Sequence, residues 1–98
     1  MKIIMRVQDI FEIPEKGIVI GGVNPTFDSL SYDEINKRIG KQIEIQNPNG
    51  KIEKVSVSSV EVSESLLGKK NIFILLSKTI STSLIENGAI IRSLALPK

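Results

Sequence analysis

Short runs of alternating apolar and polar residues, separated by turns bearing glycine or proline, fill most of this chain. That pattern predicts strands rather than helices. Ile3 to Ile13 reads as a first strand, in which Ile3, Met5 and Val7 alternate with Ile4, Arg6 and Gln8. The phase then shifts, because Ile10 and Phe11 are adjacent and Ile13 follows two positions on. A slip of one residue turns every later side chain to the opposite face, so the shift predicts a bulge or a strong bend. Pro14-Glu15-Lys16-Gly17 marks a turn, since proline fixes φ and removes a donor while glycine accepts positive φ. Gly17 to Val23 is a second strand with Ile18 and Ile20 on one side. Gly21-Gly22 leaves its end bare for close backbone packing or a sharp bend.

Asn24 to Gly40 breaks the β pattern. Ser31 and Glu34 have the spacing of a capping box, Leu30 and Ile35 that of a hydrophobic staple. Gly40 suits the helix stop, and Lys37 and Arg38 suit its negative C-terminal end. These signals predict a helix over Tyr32 to Ile39, too short to be stable unless it packs on the sheet. Strand character resumes from Gln42 to Asn47, where Ile43 and Ile45 alternate with Glu44 and Gln46. Asn47-Pro48-Asn49-Gly50 fits a hairpin turn leading into a partner strand from Lys51 to Val62. Within that strand, Val55 and Val57 fall out of phase with Val60 and Val62, predicting a bulge at Ser58-Ser59. Asn71 to Ser77 is nearly all apolar and reads as a strand buried on both sides or crossing the barrel centre. Ser81 to Ser83 is loop-like, Glu86-Asn87-Gly88 is a turn, Ala89 to Leu94 is the last strand, and Pro97 ends the domain. The sum is one all-β domain over residues 1–98, a small closed or partly open Greek-key-like β-barrel of about six to eight strands with one short helical insertion.

Composition adds an aliphatic core and removes several chemistries. The chain has 98 residues, 41% of them apolar, with three Phe, one Tyr and no Trp. At 10.8 kDa, it exposes about 5,500 Å² folded against about 15,700 Å² unfolded, enough burial for an independent core. Thirteen basic and eleven acidic residues give a net charge of +2. The signs are interspersed, which argues against a nucleic-acid or membrane surface built on charge alone. Lys37, Arg38 and Lys41, like Lys69-Lys70, read as solvated surface. With no Cys and no His, disulfides, thiolate chemistry, Cys/His zinc sites and imidazole catalysis fall away. No run approaches the roughly 20 apolar residues of a membrane helix, and the N-terminal apolar run is too short for a secretory signal. The expectation is a soluble, cytoplasmic protein.

The remaining polar residues have structural readings. Glu34 is accounted for as a cap, so Asp28, Asp33 and Glu34 are not expected to form a cation site. Glu12, Glu15 and Glu44 are candidates for paired acids, but they occupy strand alternation sites that point to solvent. Ser56, Ser58, Ser59, Ser63 and Ser65 have no histidine and no Gly-x-Ser-x-Gly elbow to activate them. The expectation is a non-catalytic binding module with no cofactor and no metal.

The order of the motifs resembles domain 2 of the translation GTPases, the β-barrel found in elongation factor Tu and its relatives. Asp9-Ile10-Phe11-Glu12-Ile13 is similar to the family's opening Asp-Val-Phe-x-Ile. Glu15-Lys16-Gly17 stands for Gly-Arg-Gly, and Gly21-Gly22 for Thr-Gly. Ile39-Gly40-Lys41-Gln42-Ile43-Glu44-Ile45 looks like the tail of the family's Gly-Asp strand, and Val60-Glu61-Val62 resembles Val-Glu-Met. Asn71-Ile72 resembles the start of Asp-Asn-Val-Gly, and Ile85 to Ile91 resembles Ile-Glu-Arg-Gly-Gln-Val-Leu. The resemblance runs from about Met5 to Ser93. It implies a barrel contacting a translation component, with Glu61 and Asn71 as the residues matching family contacts to the 3′ end of aminoacyl-tRNA. Read from the residues alone, Glu61 is a strand-facing acid and Asn71 a turn initiator. The chain departs from the family in carrying no GxxxxGK[ST] segment, so GTP binding is not expected. Val23 stands where the family has an arginine, Glu64 where it has a basic residue, and Asn24 to Arg38 is longer than the usual connection. The loss of two cations weakens the implied contact with RNA and leaves open a protein-interaction or regulatory domain with no role in translation.

Overall fold

A computed structural model describes residues 3–76 and 85–94. In chain order the elements are β1 (Ile3–Arg6), β2 (Asp9–Ile13), β3 (Gly17–Val23), α1 (Tyr32–Ile39), β4 (Gln42–Gln46), β5 (Ile52–Glu64), β6 (Lys70–Leu76) and β7 (Ile90–Ser93). All seven strands join one antiparallel sheet in the order β1-β7-β4-β5-β6-β3-β2. The fold is therefore all-β, a partly open barrel with one short helix, as the pattern predicts. Ser77, Ser81 to Ser83 and Pro97 lie outside the described residues.

The sheet curls because its two terminal strands are consecutive in sequence. Only Val7 and Gln8 separate β1 from β2. The Val7 N–H donates to Ala89 O and its carbonyl accepts from Gly88 N–H, both at 2.8 Å; the Gln8 N–H donates to Gly21 O at 2.8 Å. The chain thus leaves one end of the sheet at Val7 and joins the other at Gln8. The expected strand over Ile3 to Ile13 is broken at that point. β5 makes a second handover. Ile52 to Ser56 pair with β4, while Val57 to Glu64 pair with β6. The ladder slips between Val57 and Ser59, where the valine phase change predicts a bulge.

Two sequence readings are corrected by register. Ile3 does not share the buried side with Met5: Ile3 is 55% exposed, whereas Ile4 and Met5 are 1% and 2% exposed. The β1–β7 ladder pairs Ile3 with Arg92 and Met5 with Ile91, so Ile4 is an extra residue that resets the alternation. The phase change at Ile10-Phe11 is no bulge, because β2 pairs evenly with β3 from Asp9 to Ile13. It arises from apolar side chains on both faces of β2. β6 also differs from expectation. Ile72, Ile74 and Leu76 are fully buried, but Phe73 and Leu75 on the other face are only half-buried.

The core is built from isoleucine: Ile20, Ile35, Ile39, Ile43, Ile72, Ile74 and Ile91 have no exposed surface. Helix α1 occupies the predicted bounds. Its capping box is formed, with Glu34 N–H donating to Ser31 Oγ at 3.2 Å and Ser31 N–H to Glu34 Oε1 at 3.3 Å. The Tyr32 hydroxyl donates to Val60 O at 2.7 Å, and the Ser93 hydroxyl to Arg38 O at 2.6 Å. Ile35 and Ile39 seat the helix in the core, with Leu30 packed against it. Lys70 anchors the preceding link. Its backbone N–H donates to Asp28 Oδ1 at 3.0 Å, and its ammonium to Asp28 O and Leu30 O at 2.6 and 2.7 Å. Asp28 is thereby engaged in holding the chain, and Lys70 is not the solvated cation that sequence suggests.

Candidate binding surface

Strand alternation decides which side chains the β5–β6–β3–β2 half of the sheet presents outward. Val60, Ile72, Ile74, Ile18 and Ile20 point into the core. Their neighbours in sequence therefore point out. Register aligns these outward residues in rows across the four strands. One row runs Ser59, Leu75, Val19, Phe11; the next runs Glu61, Phe73, Gly21, Asp9; a third runs Ser63, Asn71, Val23. The middle row places a carboxylate at each end of an aromatic ring. Two Phe73 ring carbons lie 3.0 Å from where a Gly21 Cβ would sit, so that ring extends over the bare backbone of Gly21.

Among the described residues, this face and its hairpins gather most of the exposed large apolar side chains. Phe11 is 50% exposed, and Ile13 and Val23 are also exposed. At the β5–β6 hairpin, Leu66 and Leu67 stand at 107% and 84% exposure. That hairpin is well defined: Ser65 N–H donates to Lys69 O at 2.8 Å, Gly68 N–H to Ser65 O at 3.0 Å, and Gly68 has φ +80°. Its two leucines are therefore held outward by an ordered turn. Sequence reasoning did not single them out. The available signal was an apolar pair inside a glycine-bearing turn, where polar residues are the rule.

Glu61 and Asn71 are both exposed, on adjacent strands and on this same outer face. Ser63 lies opposite Asn71 and Phe73 opposite Glu61, so the two residues are diagonal neighbours. Asn71 sits within β6, after the turn has closed at Lys69, and so does not initiate a turn. None of the outward residues in the three rows is a lysine or arginine.

Other sequence candidates fall elsewhere. Glu12 and Glu15 are exposed, as expected. Glu44 is not; it is 8% exposed. Register places it between Arg92 of β7 and Lys54 of β5. Arg92 Nη1 lies 3.9 Å from Glu44 Oε1 and hydrogen-bonds Gln46. The carboxylate links strands across the sheet. Lys41 borders an open depression with Gln42, Ser56, Ser58 and Leu94. Among the described residues, no group of three or more acids, histidines or cysteines could hold a metal ion, and no helix is long and apolar enough to cross a membrane. No protein-family model matches the chain, and comparison with curated proteins finds no match.

Proposed function

We propose that this protein is a non-catalytic binding module whose partner is another protein, docked on the outer face of β5, β6, β3 and β2 and on the Leu66–Leu67 hairpin. The observation that carries this reading is the concentration of exposed apolar surface. Of eight exposed large apolar residues among the described residues, Phe11, Ile13, Val23, Leu66 and Leu67 belong to this half of the sheet or its hairpins. Contiguous apolar exposure with a polar rim is the mark of a protein-contacting surface. Asp9 and Glu61 supply that rim. The three outward rows carry carboxylates and no cation, with Lys16 and Lys69 confined to the flanking turns, which favours protein over RNA, since RNA affinity rests on neutralising phosphates.

The family resemblance supports a narrower version, in which the partner belongs to the translation apparatus and Glu61 and Asn71 lie at the contact. Affinity capture from native cells tests both levels. Material retained by the wild-type chain should be lost with a Phe11→Ser/Phe73→Ser variant and with Leu66→Ser/Leu67→Ser. An Ile52→Ser control, exposed in the half of the sheet where β5 pairs with β4, should retain it. Equal retention by all variants would refute docking on this face. Nuclease-sensitive retention that is lost on changing Glu61 and Asn71 together would replace the protein partner with RNA. Recovery of no ribosomal, tRNA or factor component would remove the translation link.

A further inference from the structure

We infer that the partner adds an extended, basic segment as a new strand along the open edge of β2. This inference rests on the docking reading above and specifies its mode. Among the described residues β2 pairs with β3 alone, so its second edge presents main-chain donors and acceptors to solvent. Four of its five residues are exposed and Ile10 is half-buried. An edge of this kind binds an extended peptide through main-chain hydrogen bonds, with side chains on alternate positions giving specificity.

The charges select the occupant. Asp9 lies on the outer face with Phe11 and Ile13, Glu12 lies on the opposite face beside Ile10, and Glu15 follows in the turn. Asp9 and Glu12 lie within the five-residue strand, which has no basic residue of its own; Glu15 follows it, and the nearest cations in sequence, Arg6 and Lys16, lie three residues beyond its two ends. Two copies of this chain pairing edge to edge would bring those acids together, and like charges across adjacent strands destabilise pairing. A segment alternating apolar and basic residues satisfies both faces. Its apolar side chains extend the Phe11–Ile13 surface on the outer face, and its cations meet Glu12 on the other face.

Amide hydrogen exchange on the full chain tests this, read residue by residue by NMR. The probe is a synthetic peptide of about eight residues alternating lysine and valine. Its controls are a glutamate–valine counterpart, a lysine–glycine counterpart, and the lysine–valine peptide N-methylated at alternate positions. The lysine–valine peptide should slow exchange at edge-facing amides of Asp9–Ile13 at least about tenfold, less so at high salt. The three controls should not. An Asp9→Asn/Glu12→Gln variant, altered only at exposed side chains, should show weaker protection at the same peptide concentration. Equal protection by the N-methylated peptide, or by the glutamate peptide, would overturn the inference. Perturbation confined to Glu61, Phe73 and Leu75, with β2 unchanged, would refute edge pairing while leaving docking on the face intact. No perturbation anywhere would refute edge pairing, and the face would then stand or fall on the capture variants.

Discussion

Replacing Gly22 with alanine is expected to destabilise the fold by about 2 kcal/mol, because this residue forms the corner where β3 crosses β1. A Cβ built there would lie 2.5 Å from the Arg6 carbonyl oxygen and 3.0 Å from Met5 Sδ. The first distance is roughly 0.9 Å short of ordinary contact, and the obstacle is backbone within the segment that carries the sheet from β7 to β3. Gly22 does not have positive φ, so alanine meets no dihedral strain and even gains about 0.4–1 kcal/mol from the unfolded chain. Overpacking of about 1–3 kcal/mol outweighs that gain. For a domain of this size, a net 2 kcal/mol lowers the melting temperature by about 8–16 °C. Two comparisons isolate the cause. At Gly21 the nearest atoms are Phe73 ring carbons at 3.0 Å, on a half-buried side chain that can turn aside, so Gly21→Ala should change stability by less than about 1 kcal/mol. At Gly50 nothing lies within 4 Å but φ is +91°, so Gly50→Ala should show only the backbone penalty of about 1–2 kcal/mol. Thermal and urea unfolding of the three variants would decide the matter. Gly22→Ala as stable as wild type, or no worse than Gly21→Ala, would refute the close β1–β3 crossing.

Three further outcomes follow from local geometry. Ser31→Ala removes the acceptor for Glu34 N–H and should lower stability by about 1 kcal/mol, measured by urea denaturation, whereas Asp33→Ala should not. Glu15 has φ +69° and Ile13 O accepts from Lys16 N–H, the arrangement of a type II turn with glutamate at the position that favours glycine. Glu15→Gly should therefore raise stability by up to about 1 kcal/mol, visible as a higher melting temperature. A double-mutant cycle on Glu44→Gln and Arg92→Met should give a coupling of about 0.5–1.5 kcal/mol, because the pair is largely shielded from water and shared with Gln46. Additive effects would mean that the two side chains do not act together.

What could be read in the sequence follows from how local each signal is. The capping box, the Gly40 stop and the hairpin turn at Asn47 to Gly50 depend on neighbours within a few residues, and each appears where the sequence places it. The bulge in β5 was legible because valines on both sides of Ser58-Ser59 fall out of phase. Ile3 and Ile4 misled because both are isoleucine, and only pairing with β7 shows which of them is extra. Glu44 misled for a similar reason: a polar residue in strand alternation points outward, but its cover comes from Arg92, 48 positions later in sequence. The docking face was not legible. Phe11 and Phe73 fall within expected strands, but their alignment through Val19, Gly21 and Leu75 is a matter of non-local register. Glu61 and Asn71 were reached through resemblance, and register brings them to that same face.

A protein partner docked on the outer face of β5, β6, β3 and β2 would lie within reach of position 73. Site-specific photo-crosslinking in native cells tests this, with a photoreactive phenylalanine placed at Phe73 and, as the reference, at Ile52 where β5 pairs with β4. A discrete protein adduct is expected from position 73, resistant to nuclease and absent from position 52. Equal adducts from both positions, or an adduct from position 73 that nuclease removes, would contradict docking of a protein there.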